Sequence, residues 1–201
     1  MSLINQTGKQ RSDRPLAALN RAVLEKVAQC PSSSSAFTTD NGRATRQSFV
    51  RDICKVMTVL VNEMCFRSNK VGVATVHGFS LRTWGFIAEA ARLPVWRVKQ
   101  CAKYAFLKGW ITSKQPRERY TGKENRDQWR GLASIKRVTV EYFIDLGIYE
   151  QYLEARKASK SWLELLAKRL NRPVKYIQTP ITLLRRRRKE ARQAASEPIH
   201  T

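Results

Sequence analysis

The chain has 201 residues, 42% of them hydrophobic, which is enough for one substantial folded domain with extensions. Its 38 Lys and Arg against 16 Asp and Glu give a formal charge of +22. Such a balance selects polyanions, a phosphate backbone first, because each neutralised phosphate releases condensed counterions. No window approaches the roughly 18 continuous apolar residues that span a bilayer, and the N-terminus lacks the apolar core of a secretory signal. The expectation is a cytoplasmic protein without membrane contact. Cys30, Cys54, Cys65 and Cys101 show no CxxC spacing, and with only His77 and His200 beside them they read as reduced thiols. Neither a metal nor a cofactor is expected.

Three segments are expected in chain order. Residues 1–45 form a mobile N-terminal segment: polar to residue 15, then a short helix over 15–29 with Leu16, Leu19, Val23 and Val27 in a stripe, then a linker marked by Pro31, four serines and Asp40-Asn41-Gly42. Residues 46–150 form the folded body. It opens on a helix from an N-cap at Ser48 to Phe66, with Phe49, Ile53, Val56, Met57, Leu60 and Met64 at helical spacing, followed by a short strand over 71–76. Residues 151–201 form a basic helical extension.

The most specific pattern starts at Thr83. Ala88 and Ala91 provide the small side chains two closely crossing helices need, Ile87 and Leu93 anchor the first helix and the turn, and Pro94 opens the second helix. Val95, Val98, Ala102 and Ala105 recur on one face of that helix, leaving Arg97, Lys99, Gln100, Lys103 and Tyr104 on the other. Gly109 suits a left-handed C-cap, Trp110 to Thr112 opens a strand, and residues 135–140 alternate as its returning partner. Between them lies a polar wing carrying Arg117, Arg119, Tyr120, Lys123, Arg126, Trp129 and Arg130. Residues 95–137 hold twelve basic and three acidic side chains, so charge and motif coincide. The predicted class is mainly α with a small β-hairpin (α+β): a winged helix-turn-helix with an N-terminal and a basic C-terminal helical extension.

In the C-terminal third, Ser161-Trp162-Leu163-Glu164 fits a capping box for a helix running to about residue 171. The spacing of Ala167, Pro173 and Ile177 repeats that of Ala88, Pro94 and Val98, which raises a second helix-turn-helix over 161–190. Pro180 opposes it, and a helix followed by a separate basic helix is the simpler reading. Arg185, Arg186, Arg187 and Arg188 form a cationic block suited to phosphate contact without base reading.

The stretch from about residue 49 to 148 resembles plasmid replication initiators of the RepA type, which are winged-helix origin-binding proteins. The likeness rests on Met64-Cys65-Phe66, the strand near 71–76, the helix-turn-helix, Leu107-Lys108-Gly109-Trp110-Ile111, and the run from Val138 to Gly147. The resemblance implies origin recognition without ATP, and recruitment of a host initiator or helicase.

No P-loop, GxSxG elbow or paired metal-binding histidines occur, and Asp52, Glu63, Glu124 and Asp127 read as salt-bridge partners more readily than as metal-binding carboxylates, so no enzyme is expected. The predicted function is sequence-specific binding of double-stranded DNA in replication initiation. Two alternatives remain: a winged-helix transcriptional repressor, and an RNA-binding factor stacking bases on Tyr104, Tyr120 and Trp129. A homodimer is carried as a candidate assembly.

Overall fold

The computed structural model describes residues 10–38, 45–121 and 127–174. Among them six α-helices combine with three small antiparallel strand pairs in a mixed α+β arrangement. Helix α1 (Pro15–Gln29) has Pro at its first position, where its missing N–H costs nothing, and packs along α2 (Gln47–Glu63). The latter starts at Gln47 with Arg46 at its N-cap and no side-chain cap, so Ser48 does not cap it; it stops at Glu63 because Met64 turns extended. A turn over 65–70, closed by Cys65 N–H donating to Lys70 O, leads into β1 (Gly72–Thr75) and its hairpin partner β2 (Gly78–Leu81), a second strand beyond the single one expected from the sequence. Gly72 is required at this crossing. Its φ is +152°, and a Cβ there would collide with the Ser80 carbonyl oxygen and the Phe79 ring.

Helix α3 (Trp84–Ala91) is capped by Thr83, whose hydroxyl accepts from Phe86 N–H at 3.1 Å. It ends at a left-handed Arg92, and α4 (Val95–Leu107) follows with Pro94 at the N-cap. Ile87, Ala88 and Ala91 are buried as the small-residue pattern predicts, and Val98, Cys101, Ala102 and Ala105 face the core from α4. Gly109 takes φ +72° just past the helix end. Strand β3 (Ile111–Lys114) then pairs with β6 (Ile135–Val138), Thr112 lying opposite Arg137. On its other edge β6 meets the 69–71 backbone: Val71 N–H donates to Lys136 O and Val138 N–H to Asn69 O. Strands β4 (Arg117–Thr121) and β5 (Asp127–Gly131) extend the hairpin outward, joined to its base by Leu132 N–H donating to Pro116 O. Short α5 (Val140–Asp145) and long α6 (Tyr149–Arg169) close the described chain.

Three expectations for the extensions change. The N-terminal residues 11–14 are anchored: Arg11 donates to the carbonyls of Glu63, Met64 and Gly72, and Arg14 to those of Val61, Asn62 and Met64. These guanidiniums satisfy the carbonyls that a helix C-terminus leaves without partners. Burial pushes the Arg14 guanidinium down to about 9, and its face lies over the Phe66 ring at 3.9 Å. Within the described part of the predicted linker, residues 31–38, Ala36 and Phe37 are buried in the core, Phe37 lying edge-on to Trp110. Ser161 starts no helix, because α6 passes through it without a break and continues to Arg169. The α6 helix crosses residue 150, the boundary expected between body and extension, and buries Tyr152 and Leu163. Asn171 then adopts φ +46°; beyond Val174, the segment bearing the rest of the suggested second helix-turn-helix lies outside the described residues.

Candidate nucleic-acid interface

The outward face of α4 carries Trp96, Lys99, Gln100, Lys103, Phe106 and Leu107. Spacing explains the set: positions 96, 99, 100, 103, 106 and 107 share one side of a 3.6-residue helix, while 98, 101, 102 and 105 share the other. Lys99 and Lys103 are exposed and form no ion pair among the described residues, so their charge is directed to solvent. Val95, expected on the inner face, is exposed at the helix start.

Two residues expected on the outward face of α4 are turned elsewhere. Arg97 is part-buried: its Nε donates to Asp52 Oδ2 at 2.8 Å, its Nη1 to Gln100 Oε1 at 3.1 Å, and its guanidinium lies 4.8 Å from the Phe49 ring centre. It therefore clamps α4 to α2 and orients Gln100, instead of projecting beside Lys99. Tyr104 points inward, ringed by Phe37, Phe49 and Trp110, with its hydroxyl donating to Ala36 O at 3.3 Å. An aromatic ring at that position gains more from this pocket than from water. Of the carboxylates considered for metal binding, Asp52 bridges Arg97 and Lys55, and Glu63 bridges Arg82 and Arg11.

Strand alternation gives the β4–β5 hairpin two unlike faces. On one, Arg130 pairs with Glu118 at 2.7 Å and lies over the Tyr120 ring, whose hydroxyl donates to Gln128 Oε1, so the polar groups satisfy each other. The other face carries Arg117 and Arg119, with Trp129 directly across from Arg119 and 65% exposed. Arg117 and Arg119 are exposed there, and Arg130 is held within the hairpin by Glu118 and the Tyr120 ring. Lys123, Arg126 and Arg185 to Arg188 lie outside the described residues.

The hairpin base is tied to α3 through Lys136, which is only 2% exposed. Its ammonium donates to Arg82 O and to the Ser134 hydroxyl, both at 2.8 Å, and lies over the Trp84 ring. Burial pushes this amine down to about 8. Sequence alternation alone could not choose between Lys136 and Arg137 for the inner face. Pairing with the buried Ile111 and Val138 layer turns Lys136 in and Arg137 out. Trp96, 61% exposed, was missed although its spacing from Lys99 and Lys103 places it on their face.

Comparison with protein-family models, with curated proteins and with solved structures finds no match. Among the described residues no helix is long and apolar enough to cross a membrane.

Proposed function

We propose that the chain is a winged-helix DNA-binding protein, α3 and α4 forming its helix-turn-helix and β3 to β6 its wing. The carrying observation is the exposed α4 face, where Lys99, Gln100 and Lys103 stand at helical spacing without an ion pair to neutralise the lysines. Lysine reaches guanine O6 and N7 and glutamine matches adenine N6 and N7 in the major groove, so these side chains read bases. Trp96 adds an apolar surface suited to a thymine methyl group. Arg117 and Arg119 of the wing engage phosphates, which position the protein without reading sequence. The protein acts as a binder and not a catalyst, in the cytoplasm, on double-stranded DNA.

Within that reading, origin recognition in plasmid replication is the task implied by the resemblance to RepA-type initiators, with a host initiator or helicase as the recruited partner. The test is selection from a random duplex library with the full chain, followed by footprinting on DNA around its own gene. Repeated short sites beside an A·T-rich segment support an initiator, and a lone palindrome over a promoter replaces it with a repressor. Recovery of no preferred duplex, together with tighter binding of single-stranded RNA, would remove the DNA reading.

A further inference from the structure

A second basic site shares no residue with α4 or with the β4–β5 hairpin. A pocket of about 370 Å³ is walled by Arg67, Ser68 and Asn69 of the turn before β1, by Thr112 and Arg137 facing each other across β3 and β6, and by Arg156 of α6. Three arginines thus line the space from a turn, a strand and a helix, and among the described residues no carboxylate does. The side chains of Arg137 and Arg156 make no ion pair or hydrogen bond among the described residues. Lys70, bridged to Arg137 through the backbone, is held below its ordinary value by burial first and by the Arg137 charge next. Like charges gathered this way repel one another, and an anion between them relieves the repulsion.

A second observation is independent of charge. The Ser68 hydroxyl is shielded from solvent and has no hydrogen-bond partner among the described residues. Leaving a buried hydroxyl unmatched is costly, and such groups are uncommon enough to require an explanation. Asn69 next to it is held at φ +56°, with its side-chain oxygen accepting from Tyr152 O–H at 3.0 Å, so the turn is fixed from beneath by α6. Arginine forks match a tetrahedral oxyanion, which offers several acceptor oxygens in different directions, and the Ser68 hydroxyl, closed to solvent as it stands, joins them by turning about its Cα–Cβ bond toward the pocket.

We propose that this pocket binds a phosphate group, supplied either by a DNA backbone phosphodiester or by a free phosphate. The proposal does not depend on α4 reading bases, since none of its residues belongs to that helix. Two arms separate the sources. In one, inorganic phosphate and then pyrophosphate are titrated calorimetrically into the full chain in chloride buffer. In the other, affinity for a mixed-sequence duplex is followed against salt.

Both arms compare the wild type with R137Q/R156Q and with S68A. The arginine positions are exposed or at the pocket wall, and circular dichroism checks that the variants fold. For a free phosphate, saturable binding weakens by about tenfold or more in R137Q/R156Q, as expected for losing charge-assisted hydrogen bonds. Binding weakens a few-fold in S68A, while the melting temperature without phosphate is unchanged or higher because the removed hydroxyl had no partner. For a backbone phosphate, the salt slope of R137Q/R156Q flattens by about 0.9 for each phosphate that is no longer neutralised. K99A/K103A leaves the free-phosphate arm as it is, so failure of the base-reading assignment stays distinguishable. No response to R137Q/R156Q in either arm overturns the proposal, whether or not the chain binds duplex DNA.

Discussion

Arg11 and Arg14 near the N-terminus and Lys99 and Lys103 on α4 contribute equally to the formal charge, yet the fold uses them in opposite ways. The arginines are turned onto the C-terminal carbonyls of α2 and hold the N-terminal segment to the body. The lysines are left in solvent without an ion pair among the described residues. What separates them is the availability of acceptors. A helix end offers several carbonyls in an arc that a guanidinium fork can span, whereas the middle of α4 has no unmet acceptor for a lysine. Net charge therefore overstates the surface available to a polyanion, and the interface must be counted from exposed cations.

Replacing Arg14 by Ala is expected to give the largest effect. It strands the α2 carbonyls and costs roughly 3 kcal/mol of stability by analogy with other hydrogen bonds to charged groups. Urea unfolding measures this loss, and unchanged DNA affinity in the folded fraction completes the contrast with α4. Lys99→Ala and Lys103→Ala should show the reverse: about 1–3 kcal/mol less discrimination between preferred and scrambled duplexes for each, read by fluorescence anisotropy, with the unfolding midpoint unmoved. A shift in that midpoint equal to Arg14→Ala would erase the distinction between the two regions. Arg97→Ala falls between them. Losing the pair with Asp52 should cost about 1 kcal/mol of stability, and releasing Gln100 should change which base is preferred, visible on repeating the selection.

The smallest effect concerns pH. Because burial lowers the Lys136 amine to about 8 from 10.5, the folded chain holds fewer protons than the unfolded chain between those values. This group therefore makes stability rise with pH across that window, its cost being fully present below about 8. Burial raises the Cys54 and Cys101 thiols to about 12 and about 11, which lowers stability as the unfolded thiols ionise above about 9. Lys136→Met should flatten the rise seen in urea midpoints between about pH 8 and pH 9; an unaltered slope assigns the rise to another group.

The same contrast explains what could be read beforehand. The ends of α1, the α3–α4 turn and the Gly109 cap were legible because Pro15, Ala88, Ala91, Pro94 and Gly109 act on their immediate neighbours. The anchoring of Arg11 and Arg14 was not, since their acceptors lie about fifty residues along the chain. Phe37 sits among serines and looks like part of a linker until Tyr104 and Trp110 are seen to enclose it. At the candidate interface, spacing placed Lys99, Gln100 and Lys103 outward. It misplaced Arg97 and Tyr104, whose positions are decided by Asp52, Phe49 and Ala36 from other segments. The capping-box pattern at Ser161 failed for a related reason: a helix already under way can carry the same four residues.

The distribution of tryptophans gives the molecule its own optical reporter. Trp110 is fully enclosed and donates its indole N–H to Asp145 at 2.6 Å, so its emission belongs to the core and should be shielded from aqueous iodide. Trp96 and Trp129 stand in water on α4 and on the β4–β5 hairpin, where iodide reaches them and a duplex on the proposed interface would screen them. Trp162, half-exposed on α6, lies on neither element and serves as a control for quenching unrelated to that face. Quenching measured with and without duplex can thus follow occupancy of the proposed interface in an unlabelled chain, against a reference built into the core.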